Sequence, residues 1–194
     1  LLLSLLALTA NAQNEQSPNH YSRNSLEPAL EPFYHGVASG DPLSDAVIIW
    51  TRITLNQTDP VSVNWRMATD TLFENIVANG TSTTDSTMDW TVKVDVTGLT
   101  EGEWYYYDFE HDGIHSLIGR TRTAPTGGVD HLRFGVVSCQ SYEHGFYHAY
   151  KDISTRNDMD AILHLGDYIY EYEAGGYSSN ISGRANEPTS EIVN

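Results

Sequence analysis

Ala161-Ile162-Leu163-His164-Leu165-Gly166-Asp167-Tyr168-Ile169-Tyr170-Glu171 is the stretch on which the reading of this chain turns. A short apolar run, legible as a buried strand, stops at a glycine that lets the backbone turn sharply. A carboxylate follows at once and a phenol three residues later, so Asp167 and Tyr170 can converge on one point. Carboxylate and phenolate oxygens are hard ligands, suited to Fe(III), Ca or Mn more than to a thiophilic metal. Gly-Asp-x-x-Tyr therefore reads as half of a metal site.

The other half begins at Cys139, the single cysteine of the 194 residues. Residues 132–138 (Leu-Arg-Phe-Gly-Val-Val-Ser) read as a second buried strand, with Cys139-Gln140 at its C-terminal end. Between the two strands, Phe146, Ala149, Tyr150 and Ile153 recur at the spacing of an amphipathic helix. Strand, helix, strand is a βαβ unit with parallel strands and a right-handed crossover. If the strands lie close in the sheet, Cys139 and Asp167 share one edge, at the carboxyl ends where open α/β sheets bind ligands.

Each residue alone has a plainer reading. A lone cysteine ending a strand is commonly a small buried hydrophobe. An aspartate after glycine serves as a turn residue or N-cap, and a tyrosine among Tyr168, Tyr170 and Tyr172 serves as packing. Their joint placement at two strand ends is what favours a metal. His144, His148 and His164 are candidates to assist a leaving group, although a histidine on a helix face or strand is ordinarily structural.

The formal net charge of -16 excludes a binder that tracks nucleic-acid phosphates. The acidity fits a soluble exported surface. Residues 1–12 are leucine-rich and end in Ala10-Asn11-Ala12, an incomplete signal peptide with its cleavage site before Gln13. They are too short to span a membrane. No cysteine stands at the cleavage site to carry a lipid, so the expected location is periplasmic or extracellular without a stable anchor. An exported lone cysteine calls for an explanation, either burial or a metal. Residues 13–32 are polar and aperiodic, a linker.

Residues 33–125 carry short strands. Val47-Ile48-Ile49-Trp50-Thr51 is a buried run; Val61, Val63, Trp65 and Met67 alternate, as do Val92, Val94 and Val96, and Tyr105, Tyr107 and Phe109. Asp112-Gly113 signals a hairpin between the tyrosine-rich strand and residues 116–119. Gly98-Leu99 with Gly102 suggests a corner where the chain changes sheets. The pattern fits an immunoglobulin- or fibronectin-like β sandwich. Pro125-Thr126-Gly127-Gly128 breaks it, and an α/β domain occupies residues 131–194. Two parallel strands cannot bury both faces, so this domain is expected to continue past Asn194 and the fragment alone to be inactive.

The chain resembles the N-terminal part of the PhoD-like alkaline phosphatases/phosphodiesterases. The resemblance rests on His35-Gly36-Val37-Ala38-Ser39-Gly40-Asp41-Pro42, Ile48-Ile49-Trp50-Thr51-Arg52, Gly119-Arg120-Thr121-Arg122-Thr123-Ala124-Pro125, Ser138-Cys139-Gln140 and the stretch quoted first. It implies a fibronectin-like domain followed by a calcineurin-like metallophosphatase domain. It further implies that Cys139 and Tyr170 bind Fe(III), with Asp167 bridging to Ca, and that a metal-activated hydroxide hydrolyses a phosphate ester substrate. Purple acid phosphatases share Gly-Asp-x-x-Tyr but open with Asp-x-Gly where this chain has Ser138-Cys139-Gln140. A non-enzymatic adhesion or glycan-binding module is the other alternative, and it leaves the strand-end cluster unexplained. Asn180 and Asn186 match no motif of the family.

Overall fold

The computed structural model describes residues 27–141, 147–170, 172, 173 and 176. The expected signal peptide, most of the linker, His144, Phe146, Glu171, Asn180 and Asn186 lie outside them. The described residues fall into two compact units, Pro28–Leu132 and Arg133 onward. Among them no helix is long and apolar enough to cross a membrane.

The first unit is two antiparallel sheets around one core. Strands β1 (Val37–Gly40), β2 (Ala46–Arg52) and β5 (Thr91–Thr97) form one sheet in the order β1-β2-β5. The other runs β4-β3-β6-β7, from β3 (Val61–Ala68), β4 (Ile76–Thr84), β6 (Trp104–His111) and β7 (Ile114–His115); β8 (Gly119–Arg122) also pairs with β6. Both sheets feed the same core: Val47 and Ile49 from β2, Val92 and Val96 from β5, Val63 and Met67 from β3, and Tyr107 and Phe109 from β6. Each fully buried side chain of this kind contributes roughly 1.5–3 kcal/mol. The expected alternations in β3, β5 and β6 are all present, with Val94 and Trp65 packed at the core margin.

The chain changes sheets between β5 and β6, where Gly98 and Gly102 take positive φ. Thr100 N–H donates to the Tyr105 hydroxyl at 2.8 Å. A tyrosine tied back to the backbone a few residues upstream is the corner device of immunoglobulin-type sandwiches. Asp112 and Gly113, both at positive φ, close the β6–β7 hairpin as a type I′ turn requires. The strand after that turn is Ile114–His115, however, and residues 116–118 interrupt the edge before β8 begins at Gly119. Residues 28–32, assigned above to the linker, are held to this unit: Pro28–Leu30 form a 3-10 turn and Pro32 C=O accepts Thr54 N–H at 2.9 Å.

The second unit contains β9 (Phe134–Val137), α1 (His148–Thr155) and β10 (Ala161–His164). β9 and β10 pair directly and in parallel, Gly135 opposite Ile162 and Val137 opposite His164. The strands are shorter than the sequence suggested, and they are not buried on both faces. Phe134, Val136 and Leu163 share the outer face and are 49%, 59% and 47% exposed. A single helix beside two strands covers only one face. That face carries Ile162 and His164, and Tyr150 of α1 lies against it.

Candidate metal centre

The ladder between β9 and β10 does not stop where the strands stop. Leu165 N–H donates to Val137 C=O at 2.9 Å, Cys139 N–H to Gly166 C=O at 3.2 Å, Gln140 N–H to Asp167 C=O at 2.9 Å and Tyr170 N–H to Gln140 C=O at 2.8 Å. An isolated parallel bridge joins Ser141 to Tyr170 beyond that. Through these bonds two loops that are distant in sequence are aligned residue against residue.

Within them Cys139 has φ 57 and Asp167 φ 48, the left-handed region. Aspartate tolerates that region; cysteine has no local hydrogen bond to offset it, and each such residue costs on the order of 1–2 kcal/mol. Strain at two facing residues marks a place where geometry is imposed by the surroundings. Gly166, at φ 105, supplies the turn that sets Asp167 beside Cys139.

All three expected donors converge. Cys139 Sγ lies 3.5 Å from Asp167 Oδ2, and the Tyr170 hydroxyl donates to the same oxygen at 3.0 Å. Cys139 and Asp167 are exposed and Tyr170 is partly so. Burial, one explanation considered for the lone cysteine, is therefore wrong: Cys139 is solvent-accessible because it sits past the strand end, on the loop. Among the described residues no three His, Cys, Asp or Glu side chains gather, so a phenol is what completes this trio.

The donor chemistry suits a cation. Three groups that ionise to anions crowd one point. Cys139, then Asp167, hydrogen-bond the Tyr170 phenol and push it above its ordinary value. A metal ion placed among them would compensate all three charges and reverse that shift. One sulfur and two hard oxygens make a set for an ion that accepts both ligand types.

The histidines divide. His148 is exposed at the start of α1. His164 is engaged on both ring nitrogens, Nε2 with the Tyr150 hydroxyl at 2.9 Å and Nδ1 with Gly166 N–H at 3.2 Å. Its ring is flanked by Tyr150 (centroids 6.4 Å) and Tyr168 (5.2 Å). Tyr150 was read above only as a helix-stripe residue; no local pattern announces a hydrogen bond to a strand fourteen residues on. Gln140 was read above only as part of the strand-end motif. Its side chain is buried, and its Oε1 has no hydrogen-bond partner among the described residues.

The first unit carries a polar shelf of its own. It is lined by Asn64, Arg66, Asp108, Glu110 and His115. These groups satisfy one another: Asn64 donates to Glu110 at 2.6 Å, and Arg66 and His115 both bind Asp108. A self-satisfied network offers a ligand little.

Residues 18–125 match the family described as PhoD-like phosphatase, N-terminal domain, and residues 134–194 the family described as PhoD-like phosphatase. Alkaline phosphatase D of Bacillus subtilis (strain 168) is 39% identical over 171 residues, 84% of this chain and 29% of that protein. The solved structure of PhoD superposes with a TM-score of 0.75 at 39% identity, over 83% of this chain and 32% of that one. The chain thus spans less than a third of either relative.

Proposed function

Because this chain belongs to the family of PhoD-like phosphatases, we propose that it forms the N-terminal part of an exported metal-dependent hydrolase of phosphate esters. The observation that carries the reading is the convergence of Cys139 Sγ and Tyr170 Oη on Asp167 Oδ2, at 3.5 and 3.0 Å, inside the segment matched by the phosphatase family. Cys139 and Tyr170 would hold Fe(III), and Asp167 would bridge to Ca(II).

Metal ions bound there supply Lewis-acid polarisation of the phosphoryl group and acidification of a water. The protein's own residues do the positioning. The parallel ladder fixes Cys139 opposite Gly166 and Gln140 opposite Asp167, so the sulfur and the carboxylate are preorganised from two separate loops. The left-handed turn at Gly166-Asp167 presents the carboxylate outward, where a substrate phosphate has access. A cation held by these three acidic donors would offset their negative charge and favour the approach of an anionic ester.

The test uses the full-length protein. Asp167→Asn and Cys139→Ser are expected to abolish hydrolysis of a chromogenic phosphate ester and to lower bound iron and calcium, measured by elemental analysis. Iodoacetamide should alkylate Cys139 in metal-stripped protein and spare it once metal is restored. Full activity with Cys139 alkylated would overturn the assignment.

A further inference from the structure

We propose that His164 is a positioning residue for the Cys139–Asp167–Tyr170 cluster: its imidazole clamps the peptide of Gly166, the unit on which Cys139 and Asp167 are aligned. The inference rests on the reading of that cluster as a metal centre.

A backbone N–H only donates, so Nδ1 of His164 accepts from Gly166 N–H and the ring proton sits on Nε2, facing the Tyr150 hydroxyl. The same Gly166 residue offers its C=O to Cys139 N–H at 3.2 Å. Gly166 is thus held on its nitrogen side by His164 and on its oxygen side by Cys139. At φ 105 it has no side chain to hold its conformation, and a glycine there has more freedom than any other residue. The next residue, Asp167, carries the carboxylate that both Cys139 Sγ and Tyr170 Oη face. Tyr150, from α1, fixes the ring in turn, and Tyr168 closes on it with centroids 5.2 Å apart. A chain of contacts therefore runs from the helix through His164 to the loop that bears two of the three donors. Groups that orient ligands in this way commonly govern affinity by 10–100-fold.

The rival explanation is that His164 merely packs between two tyrosines. Two variants of the full-length protein separate the two. His164→Phe keeps a ring between Tyr150 and Tyr168 and removes both hydrogen bonds. His164→Asn removes the ring but can place an amide oxygen near the position of Nδ1. The expected result is that His164→Phe binds ferric iron about 10–100-fold more weakly, with faster amide exchange at Gly166 and Cys139 in the metal-free protein, and that His164→Asn recovers most of both. Tyr150→Phe should fall between them. Asp167→Asn is run alongside. Loss of iron by Asp167→Asn together with wild-type iron affinity and amide exchange in His164→Phe overturns the clamp and leaves the metal centre standing. Retention of iron by Asp167→Asn overturns the metal centre itself and the clamp with it.

Discussion

Gly119 lies under the ring of Tyr107, its partner across the β6–β8 pairing, so closely that a Cβ at that position would come within 2.6 Å of the Tyr107 hydroxyl oxygen and closer still to the ring. Tyr107 is 1% exposed and its hydroxyl bonds to Ser39, so the ring has no route of retreat. Gly119→Ala is expected to lower stability by about 1–3 kcal/mol, as overpacking in a rigid core does, measured by urea unfolding. Gly135→Ala should cost less, because it meets only the movable ends of Ile162 and Met159. Equal losses in the two variants would contradict the assignment of Tyr107 as a fixed wall.

Tyr170→Phe keeps the ring and deletes the oxygen that faces Asp167. Bound iron, any visible phenolate-to-iron band and turnover should all fall sharply, while thermal stability changes little, since Tyr170 is partly exposed. Tyr172→Phe, on a ring stacked 6.3 Å from that of Tyr170, is the stringent control, and Tyr168→Phe, on a ring that packs against His164, is the second. Unchanged iron and turnover in Tyr170→Phe would mean that the phenol is not a ligand.

Asp108 is almost wholly buried and accepts two hydrogen bonds from Arg66, at 2.8 and 2.9 Å, with His115 on the same carboxylate. Removing the guanidinium leaves a carboxylate in a desolvated place. Arg66→Met should therefore cost about 2–3 kcal/mol, short of the ~3–5 of a fully buried pair because the Arg66 side chain is 34% exposed. The double variant Arg66→Met with Asp108→Asn should recover part of the loss. No recovery would show that packing over Phe73, 4.1 Å from the guanidinium, dominates instead.

Burial, and then the neighbouring Arg52 guanidinium, lower the affinity of His35 for a proton. Arg52 Nη1 donates to His35 Nε2 at 2.8 Å and its other nitrogens hold Asp89, so the folded state favours the neutral ring. The unfolded chain then binds more protons below its ordinary value of 6.5. Stability contributed by His35 is complete above that pH and is lost as pH falls below it. His35→Gln should flatten the decline in melting temperature between about pH 7 and 5; an unaltered slope would assign the decline to other groups.

The regular parts of the fold were legible because burial imposes a period. Val61, Val63 and Met67, or Tyr105, Tyr107 and Phe109, alternate because one face of each strand meets the core. β4 left no such trace. Most of Ile76–Thr84 is exposed or half-exposed, only Thr84 is buried, and a strand held mainly by its backbone has no apolar rhythm to read. β1, at four residues, is too short to show one. The cluster was legible in identity, since Gly-Asp-x-x-Tyr and Ser-Cys-Gln mark Cys139, Asp167 and Tyr170 directly. What supports it was not. The Tyr150–His164 bond and the buried Gln140 side-chain Oε1, unpartnered among the described residues, depend on packing between segments, and packing has no signature in local spacing.

The cluster has its two halves on segments 28 residues apart, aligned by the ladder that continues the β9–β10 pairing. In the unfolded chain those donors are dispersed. An ion that prefers the assembled trio is therefore a thermodynamic partner of the fold: at one hundred times its dissociation constant it adds roughly 2.7 kcal/mol to the stability of the paired strands. On the proposed metal assignment, a chelator would remove that increment and act as a mild denaturant of the paired strands.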